Sequence, residues 1–221
     1  MKHATAFVLA LCAASASALA GPDWIEQLDA GSEFATAQAV VGIGTPQRIS
    51  GTLTAGRGLS DLEDIYLIRI DAPATFSFTM ENSDFDSQLY LFNITLASEL
   101  FGLLSNNDAT PSTSEASIFQ SVATDGSGAQ VLTPGVYALA ITSAGRAPIS
   151  LNGAIFNQLI PTELSGPDGP GGINPLLGWD GPGTSGSYEV ELEGIGYVDV
   201  PAPGAAAALA LAGLLATRRR R

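Results

Sequence analysis

The stretch "DIYLIRID", Asp64 to Asp71, decides the fold class. Ile65, Leu67 and Arg69 fall on one side of an extended chain, and Tyr66, Ile68 and Ile70 on the other, the period-2 alternation of a β-strand. Its neighbours repeat the pattern. "RISGTLTA" (Arg48 to Ala55) alternates, and "ATFSFTM" (Ala74 to Met80) turns Phe76, Phe78 and Met80 to one side. "SQLYLFNI" (Ser87 to Ile94), "SIFQSVA" (Ser117 to Ala123), "GVYALAITS" (Gly135 to Ser143) and "SYEVELEG" (Ser187 to Gly194) follow, with "ISLNGAIF" (Ile149 to Phe156) as a weaker candidate. Gly, Pro, Asn, Asp and Ser separate these runs, as turns require. Outside the two ends no window carries a 3.6-residue period. Only "SEFATAQAV" (Ser32 to Val40) suggests a short turn of helix. The expected fold is all-β: a single jelly-roll-type β-sandwich over 48–198, preceded by a lead-in at 21–47.

One segment breaks the rhythm. From Asn157 to Gly186 the chain is rich in Gly and Pro and has no strand period. So long a loop inside a compact domain is functional or disordered. It reads as an insertion before the last strand, with Leu176, Leu177 and Trp179 to pin it back onto the sandwich.

The two ends are of another kind. Lys2 and His3 precede an apolar run, and Ser15 to Ala20 supplies an A-x-A cleavage pattern, so residues 1–20 read as a secretory signal peptide. Cys12 follows Leu11, where a lipoprotein signal needs a small residue. Cleavage after Ala20 would remove the chain's only lysine, histidine and cysteine. The mature chain would then lack a Ser-His triad, a thiol nucleophile, a disulfide and a Schiff base. Four arginines (48, 57, 69 and 146) would face 22 acidic residues, a net charge of −18. Nucleic acid is excluded as a partner, because phosphate neutralisation needs a basic face. At the other end, Gly204 to Thr217 is an uncharged Ala/Leu run, shorter than the about 20 residues of a permanent span. Arg218, Arg219, Arg220 and Arg221 close the chain as a membrane stop on the cytoplasmic side.

Val200-Pro201-Ala202-Pro203, the apolar run and the arginine cluster together resemble the PEP-CTERM sorting signal, with Pro-Ala-Pro in place of the usual Pro-Glu-Pro. The resemblance covers residues 199–221. It implies a short C-terminal hydrophobic helix held in the inner membrane, processing by an exosortase-type enzyme after signal peptidase has acted, and delivery to the cell surface or medium. The body resembles the bacterial pre-peptidase C-terminal domain from about Asp29 to Leu192. Asp64 with Tyr66, Asp86 with Leu89-Tyr90-Leu91, Asn106-Asn107-Asp108 and Pro134-Gly135-Val136-Tyr137 occur in that family's order. This implies a small jelly-roll accessory domain without catalysis, in a family that includes calcium-binding members.

The candidate sites follow. Asp84, Asp86, Asn106, Asn107 and Asp108 are hard oxygen ligands of the type Ca²⁺ takes, or simply Asx turns. Asp61, Glu63 and Asp64 form a second acidic group. Glu189, Glu191 and Glu193 share one strand face, as a solvated edge or, less plausibly, as half of a glycosidase pair. Tyr66, Tyr90 and Tyr137 are core or sugar-stacking residues. Trp179 is a loop anchor or a carbohydrate contact. Asn93-Ile94-Thr95 matches a glycosylation acceptor of little weight in a bacterial export context. The function expected is that of a non-enzymatic exported component of the cell surface or extracellular matrix. A carbohydrate-binding or adhesive module is the alternative, and a carboxylate-based hydrolase the more remote one.

Overall fold

The structure is a computed structural model that describes residues 23–199 apart from 57, 58, 110–116 and 158. The segment read as a signal peptide (1–20), Val200–Pro203 and Arg218–Arg221 lie outside the described residues. Among the described residues no helix is long and apolar enough to cross a membrane.

Two antiparallel sheets face each other. The first is built on β3 (Arg48–Gly56), β6 (Ser77–Ser83), β9 (Ile118–Phe119) and β14 (Gly186–Glu193), in the order β3-β14-β6-β9. The second is built on β5 (Glu63–Ile70), β7 (Ser87–Ile94), β8 (Leu100–Asn106) and β10 (Gly135–Ser143), in the order β5-β10-β7-β8. Numbered one to eight along the chain, these strands run 1-8-3-6 in one sheet and 2-7-4-5 in the other. That is the order of a jelly roll.

The lead-in belongs to the sandwich. β1 (Asp23–Ile25) pairs in parallel with β3, and β2 (Gln38–Ala39) pairs in parallel with β5. β4 (Leu59–Asp61) pairs with β3 and β15 (Ile195–Gly196) with β5. The helical turn suggested at Ser32 to Val40 is one hydrogen-bonded turn, Ala37 N–H to Glu33 O at 2.9 Å, that continues as β2.

The alternation read in the sequence sets the layers. Tyr66, Ile68 and Ile70 point into the main core, where Ile49, Leu53, Phe78, Met80, Val190 and Leu192 meet them from the first sheet, with Phe76 just before β6. Ile65 and Leu67 point the other way, into a second apolar cluster with Tyr90, Phe92, Ala138, Ala140, Ile155 and Phe156. A second cluster exists because the outer face of this sheet is covered. β11 (Ala147–Ser150), β12 (Gly153–Ala154) and β13 (Gly178–Asp180) form a small three-stranded sheet beside it. The Gly/Pro-rich segment lies over it: Leu176 and Trp179 pack on the cluster, while Leu177 is exposed. Gly102 lets this layer close, because a Cβ there would run into Ile155 and Phe156. The segment also caps the free edge of β8 through bridges Phe101 to Pro175 and Ser105 to Ser165, which blunts an edge open to further pairing.

Candidate cation site

The structure assembles a carboxylate cluster from three separate parts of the chain. After β1 the chain turns sharply. Leu28 adopts φ 70° and Gly31 φ 64°, the left-handed conformation that glycine tolerates best. The turn is fixed by its own acids: Glu26 Oε1 accepts the Ala30 N–H at 3.0 Å, and Asp29 Oδ1 accepts the Gly31 N–H at 3.0 Å. Glu26 Oε2 accepts the Thr52 N–H of β3 at 2.8 Å, and Gly31 O accepts the Ile65 N–H of β5 at 3.0 Å. These bonds carry Glu26 and Asp29 to the start of β5, where Asp64 lies. One carboxylate oxygen each from Glu26, Asp29 and Asp64 fall within 4.8 Å of one another. Asp61, at the end of β4, joins through a side-chain hydrogen bond with Asp29.

Asp64 is the unusual member. Its side chain is fully buried. Oδ2 accepts the Tyr188 hydroxyl, which in turn lies 2.7 Å from the Tyr66 hydroxyl. Oδ1 has no hydrogen-bond partner among the described residues. A buried polar atom is nearly always bonded, and an orphan costs about 1–3 kcal/mol. Burial pushes the Asp64 carboxyl up to about 8, with Glu26, Asp61 and Asp29 adding repulsion against the relief from Tyr188. Burial also pushes Asp61 up to about 8, helped by its contact with Asp29 and by the charges of Asp29, Glu63 and Glu26. Glu26 is raised by burial as well. Among the described residues no ion pair touches the cluster; the cations Arg69 and Arg146 are engaged with Asp71, Asp199 and Glu63.

These residues fit a hard divalent ion. Ca²⁺ takes six to eight oxygens at about 2.3–2.6 Å, so two ligands of one ion stand at most about 5 Å apart. Glu26 and Asp29 from the turn and Asp64 from β5 offer only oxygens at that spacing. Burial raises the pKa values of three of the cluster's four acids.

The residues singled out from the sequence fare differently. Asp84 is tied to β14, its Oδ2 accepting both the N–H (3.1 Å) and the hydroxyl of Ser187, which hold its pKa below the usual range. Asn106, paired with Leu89 of β7, donates from Nδ2 to Asp108 O and Glu163 O at 3.1 Å each. Its Oδ1 accepts the Ile118 N–H at 2.8 Å. Asn107 donates to Asp108 Oδ1 at 3.3 Å, Asp108 N–H bonds Pro161 O at 2.9 Å, and Asp86 O accepts the Ala144 N–H at 2.7 Å. Asp84 thus serves a junction with the first sheet, and Asn106 a junction with the long loop. Of the second acidic group, Asp61 and Asp64 join the cluster, whereas Glu63 pairs with Arg146. The sequence reading missed Glu26 and Asp29. Nothing local in the lead-in says that their turn docks on β5.

Trp179 is half-buried and meets Tyr90 and Phe92 edge-on at 5.6 and 6.3 Å, and its Nε1–H donates to Ser32 O at 2.9 Å. Those contacts make it a loop anchor. Tyr66, Tyr90 and Tyr137 are buried. Glu191 and Glu193 face solvent on the outer side of the first sheet, and Glu189 there is held by Asn82 at 2.7 Å.

No family model matches the chain. No curated protein matches it either.

Proposed function

We propose that this chain is a non-catalytic, exported β-sandwich of the bacterial cell surface or extracellular matrix, stabilised by Ca²⁺ held between Glu26, Asp29, Asp61 and Asp64. The observation that carries the cation is the orphaned, fully buried Asp64 Oδ1 inside a cluster of carboxylates with no cationic partner among the described residues. A bound divalent ion supplies the positive charge that such a group needs. Glu26 and Asp29 would then tie the lead-in turn to the body, Asp64 would hold the ion from β5, and the Tyr188 hydroxyl would fix the orientation of the Asp64 carboxylate.

The export reading rests on the ends of the sequence. Signal peptidase would release the body after Ala20. The apolar run and Arg218–Arg221 would hold the precursor in the inner membrane until an exosortase-type enzyme acted at Val200–Pro203. Extracellular polysaccharide is the partner this route suggests.

Native mass spectrometry of the protein recovered from the cell surface and the medium tests both halves. The expected species runs from Gly21 to near Pro203 with Ca²⁺ attached. A chain that keeps Arg218–Arg221 would overturn the sorting reading, and an ion-free chain in millimolar Ca²⁺ would overturn the cation site.

A further inference from the structure

The second apolar cluster ends in a polar row that its packing does not require. Glu63, Thr142 and Gln88 stand side by side on the three neighbouring strands β5, β10 and β7: Thr142 is the register partner of Glu63 on one side and of Gln88 on the other. All three are at most 2% exposed. Register partners on adjacent antiparallel strands point to the same face with Cβ atoms about 5 Å apart, so a carboxylate, a hydroxyl and a primary amide side chain stand in one row away from water. Arg146 closes the row. Its guanidinium pairs with Glu63, and its backbone O accepts the Thr142 hydroxyl at 3.0 Å and the Tyr90 hydroxyl at 3.0 Å. From Nη1 it also donates to Gly181 O at 2.8 Å, which ties the long loop over the row.

This grouping matters because of what the chain lacks. After Ala20 it has neither cysteine nor lysine, so disulfides and lysine amide cross-links are both closed to it. Hydroxyl and amide side chains remain. We propose that Thr142 and Gln88 form an intramolecular ester that staples β10 to β7. Thr142 Oγ1 attacks the Gln88 side-chain carbonyl carbon, the Oγ1–Cδ bond forms, and the C–N bond of the amide breaks. The hydroxyl proton passes to the departing nitrogen, which leaves as ammonia. No oxidant or cofactor enters the balance. Exclusion of water by the Gly/Pro-rich layer protects the product from hydrolysis. A loop of 53 residues between positions 88 and 142 would be closed covalently in the unfolded chain, which lowers its entropy as a disulfide does. The staple is independent of the cation site.

Trypsin leaves both residues in one peptide, Ile70–Arg146. In digests of the purified full-length or secreted chain, that peptide is expected one ammonia lighter than its sequence, with fragmentation blocked between Gln88 and Thr142. Mild alkali on the unfolded peptide should open the ester and leave Glu at position 88. Thr142→Val should restore the full mass and Thr142→Ser should keep the loss. A wild-type peptide of full sequence mass overturns the proposal without any variant. Loss of one water in place of ammonia would also overturn it, because the bond would then join Thr142 to an acid.

Discussion

Two groups of acidic and amide side chains in this molecule look alike in sequence and differ in what their atoms do. In the group around Asp84 and Asn106 the contacts are protein contacts. Asp84 holds Ser187, and Asn106 satisfies Asp108, Glu163 and Ile118. The group of Glu26, Asp29, Asp61 and Asp64 keeps a buried oxygen without a partner, and three of its members are pushed toward their protonated forms. The first group also keeps a buried oxygen without a partner among the described residues, Asn107 Oδ1, so the difference lies in the carboxyls: Asp84 is lowered by its bonds to Ser187, whereas burial raises Glu26, Asp61 and Asp64. Counting oxygen ligands along the chain does not by itself separate the two groups, because turn chemistry uses the same residues as calcium chemistry.

The contrast can be broken by experiment. The largest effect should be on pH dependence in chelator. Asp61 and Asp64 titrate near 8 in the folded chain but near 4 when unfolded, so the folded state binds more protons between those values. Their contribution is then fully present below about pH 4 and is lost as pH rises through about 8. Urea midpoints measured in EDTA should fall from pH 5 to pH 9, and Ca²⁺ should offset the fall. A midpoint that rises over that interval would contradict the burial of these acids.

Asn106→Ala should cost about 2–4 kcal/mol, since it orphans buried groups on the loop and on β9. Its response to Ca²⁺ should stay intact. Tyr188→Phe should cost about 1–3 kcal/mol, because Asp64 Oδ2 loses its donor and Tyr66 its partner. It should also weaken Ca²⁺ binding, as a ligand that has lost its orienting hydroxyl does. Asp84→Ala should lower the unfolding midpoint slightly, because Ser187 loses its acceptor, and leave the Ca²⁺ response where it is. A lost response in that variant alone would return the site to the Asp84 group.

How much of this was legible follows from periodicity. The strand at Asp64–Asp71 gave both of its faces correctly, because each face meets a different apolar layer. β14 was equally clear: Tyr188, Val190 and Leu192 are buried, and Glu191 and Glu193 are exposed. β8 was not read as a strand. "LFGLLSN" does not alternate, since the loop covers its outer side and most of its residues are buried on either face. The strand expected over Ser117 to Ala123 shortens to Ile118–Phe119, and Val122 makes only an isolated bridge with Gln130. Within Asn157 to Gly186 the short β13 went unseen, since three residues carry no period. The acidic cluster was half legible. Asp61 and Asp64 stand together in the sequence, but Glu26 and Asp29 reach them only through parallel pairing of β1 and a left-handed turn at Leu28. Neither leaves a pattern in a single strand.

The most direct test of the account is calorimetric titration of Ca²⁺ into the chelator-treated protein, wild type beside Asp64→Asn and Asp84→Asn. The account predicts binding in the wild type and in Asp84→Asn, with thermal stabilisation of about 2.7 kcal/mol once Ca²⁺ reaches a hundredfold excess over Kd, and neither heat nor stabilisation in Asp64→Asn. Equal binding by all three proteins, or loss in Asp84→Asn alone, would contradict it.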